Sequence, residues 1–150
     1  MFDVDKALDF ALKVFWRKGY EGTSLLDLTE AMGINRPSLY AAFGNKEELF
    51  RKALDRYAAG PAAHMREALD EPTARAVAER LLRKTADVLT DPRHPPGCLA
   101  VQGALSCGEA AESIRQELNS RRSAGEAALR ERFERAKSEE DLPPGADPAG

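Results

Sequence analysis

The sequence predicts an all-α chain, and two observations carry that prediction. Apolar residues recur at spacings of three and four along almost every segment, as on helices with one buried face. Asp, Ser, Asn or Thr precedes most of these runs and glycine follows several, the residues that cap and stop helices. Composition is that of an ordinary folded chain: 43% hydrophobic and 31% charged residues argue against collagen-like and disordered classes. At 150 residues there is room for one domain, or for a small domain and a modest second one. No apolar run approaches the roughly 18 residues of a membrane span, so no membrane partner is expected. The start, MFDVDKALDF, is acidic and lacks the basic and apolar regions of a signal peptide. With two cysteines in all, a reducing cytoplasm is the expected compartment.

The first helix is expected over residues 3–18, with Asp3 as cap, Val4, Leu8, Ala11, Leu12 and Phe15 as its stripe, and Gly19 as its stop. The second covers 24–32. Ser24 with Asp27 fits a capping box, Leu25, Leu28 and Met32 face inward, and Gly33 ends it. Asn35 caps a third helix that carries Pro37 in its first turn, buries Leu39 and Phe43, and stops at Gly44. Asn45 with Glu48 caps a fourth, whose stripe is Leu49, Phe50, Ala53, Leu54 and Tyr57. Gly60-Pro61 kinks or breaks it. A further helix is expected over 73–90, with Val77, Leu81, Leu82, Val88 and Leu89 as core, followed by a loop over 91–97. The apolar stretch 98–108 suits a buried strand or a short buried helix, and its helical surroundings favour the helix. A long helix follows over 109–138, with Ile114, Leu118, Leu129, Phe133 and Ala136 buried. Glu117 with Arg121, Glu126 with Arg130 and Glu131 with Arg135 are its i,i+4 pairs. Asp147-Pro148 reads as a helix start.

The stretch NRPSLYAAFGNKEELF, residues 35–50, raises a physical question. A helix of under ten residues is unstable alone, so its surface needs a reason beyond its own burial. Together with residues 24–34 it forms two short helices around a glycine turn, with apolar Leu28, Met32, Ile34 and Leu39 where a helix-turn-helix needs them. Such a motif presents the outer face of its second helix to a DNA major groove. A hairpin that only builds core is the plain alternative. The outer face favours DNA. Arg36 can bind a guanine edge or a phosphate, and Asn35 and Ser38 are short hydrogen-bonding groups. Tyr40 offers a hydroxyl and a ring, while Ala41 and Ala42 let backbone and thymine methyls approach. Lys46 opens the next helix, where its charge suits phosphate. Bulk charge does not advertise nucleic acid: residues up to Tyr57 include 9 basic and 9 acidic groups, and the remainder 13 and 16.

From Phe2 to about Tyr57 the chain resembles the DNA-binding domain of the TetR/AcrR family of bacterial transcription regulators. The resemblance lies in ALDFALKVFWRKGYEGTSLLDLTEAMGINRPSLYAAFGNKEELF, with its Gly-Tyr step, Thr-Ser start, Gly33, Leu39-Tyr40, Phe43 and the Lys46-Glu-x-Leu-Phe run. It implies an all-α homodimer. An N-terminal three-helix helix-turn-helix domain, here 1–57, would be followed by a helical ligand-binding and dimerisation domain, here 58–150. Double-stranded operator DNA and a small-molecule effector are the implied partners, with the effector releasing the operator. Residue by residue, the resemblance places DNA contact on Asn35, Arg36, Pro37, Ser38, Tyr40 and Lys46, and phosphate contact on Ser24. Two departures bear on this. Bulky or histidine side chains are common where Ala41 and Ala42 stand, and MFD supplies no basic arm. The two C-terminal dimerisation helices usual in the family are missing after Asp147-Pro148, so either the chain is incomplete, which is the favoured expectation, or it dimerises in an unusual way.

Elsewhere the sequence is less specific. Met65, Leu82, Leu89, Cys98, Val101 and Leu105 are the residues expected to line a ligand cavity, with ordinary core packing as the plain alternative. Cys98 and Cys107 are nine apart and out of phase on one helix, which disfavours a disulfide. A thiol that responds to oxidants or electrophiles is the sharper reading, two small buried residues the plainer one. His64 and His94 have no ligand at metal spacing, so no metal and no cofactor are expected, and both read as surface or loop residues. No nucleophile elbow, phosphate loop or placed carboxylate pair supports an enzyme, and no catalytic residue is assigned. A helical interaction module that has lost DNA binding is the remaining alternative.

Overall fold

The computed structural model describes residues 2–105, 108 and 111–150, with the backbone alone for 103–105. The described residues form eight α-helices and one 3-10 turn, with no strand. In chain order the helices are α1 (Val4–Lys18), α2 (Leu25–Met32), α3 (Arg36–Phe43), α4 (Lys46–Ala59), α5 (His64–Glu67), α6 (Ala74–Thr90), α7 (Leu99–Leu105) and α8 (Glu112–Ser138). The 3-10 turn, Ala68–Asp70, continues α5.

The first four helices begin and end where their caps dictate. Asp3 accepts the amides of Asp5 and Lys6. Ser24 with Asp27, and Asn45 with Glu48, both close full capping boxes, and Asn35 accepts the Ser38 amide at 2.9 Å. α1 is central: its buried face (Ala11, Leu12, Phe15, Trp16) packs on both α2 and α4. Phe15 meets Phe50 edge-on at 4.9 Å, and Tyr20 closes on Phe50 at 5.2 Å. The same buried cluster continues through Leu99 of α7 and Ile114 and Leu118 of α8. α4 is tied to α8 twice more, by Ser113 donating to Glu47 and by Arg121 pairing with Asp55 at 2.7 Å.

Gly33 sets the angle between α2 and α3. Its backbone is left-handed (φ 67°, ψ 30°), and the Ile34 amide reaches back to the Thr29 carbonyl at 3.2 Å. A Cβ here would meet nothing within 4 Å, so only the backbone conformation resists substitution. Gly33→Val is expected to lower stability by about 1–2 kcal/mol, and Gly33→Asn by under about 1, since asparagine tolerates this region. Urea unfolding checks both values; equal stability of the two variants would contradict this account.

Several sequence expectations need correction. The α5 and 3-10 segment was not anticipated. On α6, Val77 is fully buried, but Leu82 is 70% and Leu89 43% exposed. Their face of α6 is apolar, yet the packing partners of α6, namely α5, the 3-10 turn and α8, lie elsewhere. On α8 the Glu117–Arg121 and Glu126–Arg130 pairs form, whereas Arg135 pairs with Glu139 at 3.7 Å. Residues 98–105 are helical from Leu99, as the surroundings suggested. Asp147-Pro148 makes a turn in which Asp147 accepts the Ala149 amide. Cys107 and the expected helix start at Glu109 lie outside the described residues.

Candidate nucleic-acid interface

α3 is eight residues long and is held from behind. Leu39 and Phe43 are 0% and 1% exposed, and Phe2 packs its ring on Phe43. Lys52 of α4 places its ammonium over the Phe43 ring and near the last carbonyls of α3, where a cation suits the helix C-terminus. That anchoring leaves Asn35, Arg36, Pro37 and Tyr40 exposed and Ser38 half-buried. Among the described residues Arg36 has no carboxylate partner, so its full fork of donors is available. Tyr40 is 47% exposed. The two alanines differ: Ala41 is exposed, while Ala42 packs against the core and is not part of the outer face.

The flanking groups present further donors. Ser24 accepts the Asp27 amide at 3.0 Å and gives its own amide to the Asp27 carboxylate at 2.9 Å. Its hydroxyl also bonds the Asp27 carboxylate, so a phosphate oxygen would compete for that proton. The Ser24 amide, with Lys18 at 3.0 Å, holds the Asp27 carboxyl down at about 2, so it is ionised throughout the neutral range. Asn35 spends its carbonyl oxygen on the cap and keeps its amide donors. Lys46, the first residue of α4, is half-buried with its ammonium 4.4 Å above the Tyr20 ring. Burial lowers its pKa and the Glu21 charge opposes that shift. Tyr20 therefore acts as a platform that fixes the direction of Lys46, a role sequence reasoning missed although the Gly-Tyr step was visible.

Four of the residues expected to line a ligand cavity lie on the surface of this chain. Met65, Leu82, Leu89 and Val101 are all exposed, and neither of two surface clefts near residues 60–61 is lined by them. Cys98 is half-buried and accepts a hydrogen bond from the Tyr57 hydroxyl at 3.5 Å, while the Leu105 side chain lies outside the description. His64 bonds Thr85 at 2.9 Å, and His94 lies in the loop after α6 against Trp16. Among the described residues no group of three His, Cys, Asp or Glu is placed to hold a metal, and no helix is long and apolar enough to cross a membrane.

A short exposed helix, propped by two others and bearing arginine and hydroxyl groups at its N-terminal end, defines a helix-turn-helix DNA-binding regulator. Residues 7–53 match the family described as bacterial regulatory proteins, tetR family. The chain is 36% identical over 149 residues to the HTH-type transcriptional repressor ComR of Escherichia coli (strain K12), covering 98% of this chain and 71% of that protein. It is 32% identical over 115 residues to the HTH-type transcriptional repressor BdcR of the same organism, covering 75% of this chain and 58% of that one. Its fold superposes with a TM-score of 0.92 on a cysteine mutant of the TetR family transcriptional regulator CifR, solved in complex with 26bp double-strand operator DNA. That pair is 44% identical over 99% of this chain and 78% of the other. The chain belongs to the TetR family and is a DNA-binding transcriptional regulator.

Proposed function

We propose that the protein is a one-component repressor. It binds operator DNA as a homodimer through residues 1–57 and releases it when a small effector binds within residues 58–150. One observation carries the DNA-contact assignment: Leu39 and Phe43 of α3 are buried, while Arg36 and Tyr40, four residues apart, are exposed and Ser38 is half-buried. In this reading Arg36 and Ser38 address base edges. Tyr40, Lys46, Ser24 and the Asn35 amide hold phosphates, and Pro37 fixes the first turn of α3. The names of ComR and BdcR as repressors, and the operator complex of CifR, support repression through such contacts.

Fluorescence anisotropy on labelled DNA from beside the protein's own gene, at several salt concentrations, tests this. Affinity should fall steeply with salt. Lys46→Ala should weaken binding to all sequences alike and reduce the log–log salt slope by about 1 per protomer. An unchanged slope would remove Lys46 from the phosphate contacts.

The Tyr57–Cys98 contact favours a second reading, a repressor released by thiol chemistry. An adduct on Cys98 would displace the phenol, whose pKa is raised chiefly by burial, from the α1–α4 packing. Mass spectrometry after mild peroxide decides it: an unmodified Cys98 with unchanged DNA affinity removes this reading.

A further inference from the structure

Behind the reading helices lies a cleft of about 370 Å³ between α1, the C-terminal end of α4 and the loop after α6. That volume is within the range of small-ligand sites. Leu12, Ala59 and Pro61 give it apolar walls, and the edge of Trp16 forms part of its floor. The His94 ring sits over Trp16 with centroids 5.2 Å apart and planes inclined by 30°. The loop carrying His94 is pinned there, because the Trp16 indole donates to the Gly97 carbonyl at 2.9 Å.

The charges in the cleft are unevenly matched. Arg56 is neutralised by Asp9, with a second contact at 2.9 Å, and reaches Asp5 at 3.4 Å. Asp9 is thereby used up. Lys13, one turn along α1 from Asp9, lines the same cleft and has no carboxylate partner among the described residues. An apolar hollow with one aromatic wall and one uncommitted cation matches a small apolar acid. We infer that this cleft binds a planar aromatic carboxylic acid, with its carboxylate on Lys13 and its ring between His94 and the Leu12–Pro61 wall.

The location gives such a ligand leverage. α1 supports α2 from behind, α4 begins at Lys46, and the Asp9–Arg56 bridge joins the two beside the cleft. An occupant would press on that bridge and change how α1 and α4 hold the reading helix. This consequence rests on the effector-released reading above and places the effector at the junction with the reading domain.

Trp16 is the only tryptophan in the chain, so its emission reports on this cleft. The probe is 4-nitrobenzoate, titrated into the full chain with N-acetyltryptophanamide as the control for absorption and collisional quenching. The expected result is saturable quenching of Trp16, at least fivefold weaker for the neutral 4-nitrobenzyl alcohol and at least fivefold weaker in Lys13→Met. Lys13 is exposed, and circular dichroism will show that the variant folds. Quenching that never saturates, or that is the same in Lys13→Met, overturns the site. A parallel anisotropy titration on the operator separates the two ideas. Loss of DNA affinity at saturating acid supports both. Lys13-dependent quenching with unchanged DNA affinity upholds the site and overturns its effector role.

Discussion

Arg36→Ala is expected to weaken operator binding about five- to 150-fold for each half-site, from the loss of roughly 1–3 kcal/mol of base contact per protomer. It should also flatten base preference at one or two positions of each half-site. Arg36 is the first residue of α3, is exposed, and has no carboxylate partner among the described residues, so its removal leaves the fold intact. The melting temperature should therefore stay within about a degree or two, as for most surface substitutions. Arg36→Lys separates charge from geometry. It keeps the cation, and so the salt slope, but lacks the two-pronged donor that fits a guanine edge. Base preference should fall nearly as far as with alanine, while nonspecific affinity stays close to that of the parent. Anisotropy against operators carrying single base-pair changes measures all of this. If Arg36→Ala ranks those operators as the parent protein does, base reading resides elsewhere on α3. Ser38 and Tyr40 are then the remaining groups, because Ala42 faces the core and Ala41 offers only a methyl.

The first four helices were legible because local chemistry sets them. Each has a side-chain cap, and the turn at Gly33 needs a left-handed residue, so short-range rules suffice to place α3. The exposed residues of α3 do not all follow from periodicity: Arg36, three before Leu39 and seven before Phe43, falls on the inward stripe, yet it is exposed at the first position of the helix. Tyr20 was harder to see, since its use depends on Lys46 arriving from a helix 26 positions on. The α5 and 3-10 segment shows the limit more sharply. It is too short for a periodic stripe, and what holds it comes from far along the chain: His64 on Thr85, and Arg132 on the Leu69 and Glu71 carbonyls. Leu82 and Leu89 failed for a related reason. Periodicity shows that a helix face is apolar, but not which neighbour covers it.

Arg132 carries the largest stability effect expected outside the aromatic core. Within the charged run RERFERAK it reads as one more solvated cation, yet it is 5% exposed. Its Nε donates to the Leu69 carbonyl at 3.1 Å and one Nη to the Glu71 carbonyl at 2.8 Å. These bonds fasten the end of the 3-10 turn to α8. Among the described residues the other Nη is buried without an acceptor, a cost to the folded state. The substitutions therefore differ in what they relieve. Arg132→Met loses both charged hydrogen bonds but also removes the unmatched donor and keeps most of the apolar stem, so it should cost about 2 kcal/mol. Arg132→Ala adds a cavity and should cost about 3 kcal/mol or more. Arg132→Lys keeps a buried ion and can satisfy one carbonyl well, so it should be no better than methionine. At about 2–4 °C per kcal/mol for a chain of this size, alanine should lower the melting temperature by roughly 6–12 °C. Thermal unfolding at one fixed protomer concentration gives the comparison, because any self-association would shift the apparent values. Operator affinity below the transition should not change, as Arg132 touches neither α3 nor α4. A lysine variant as stable as the parent would show that charge alone holds this junction. An alanine variant as stable as the parent would show that the two carbonyls are as well served by water.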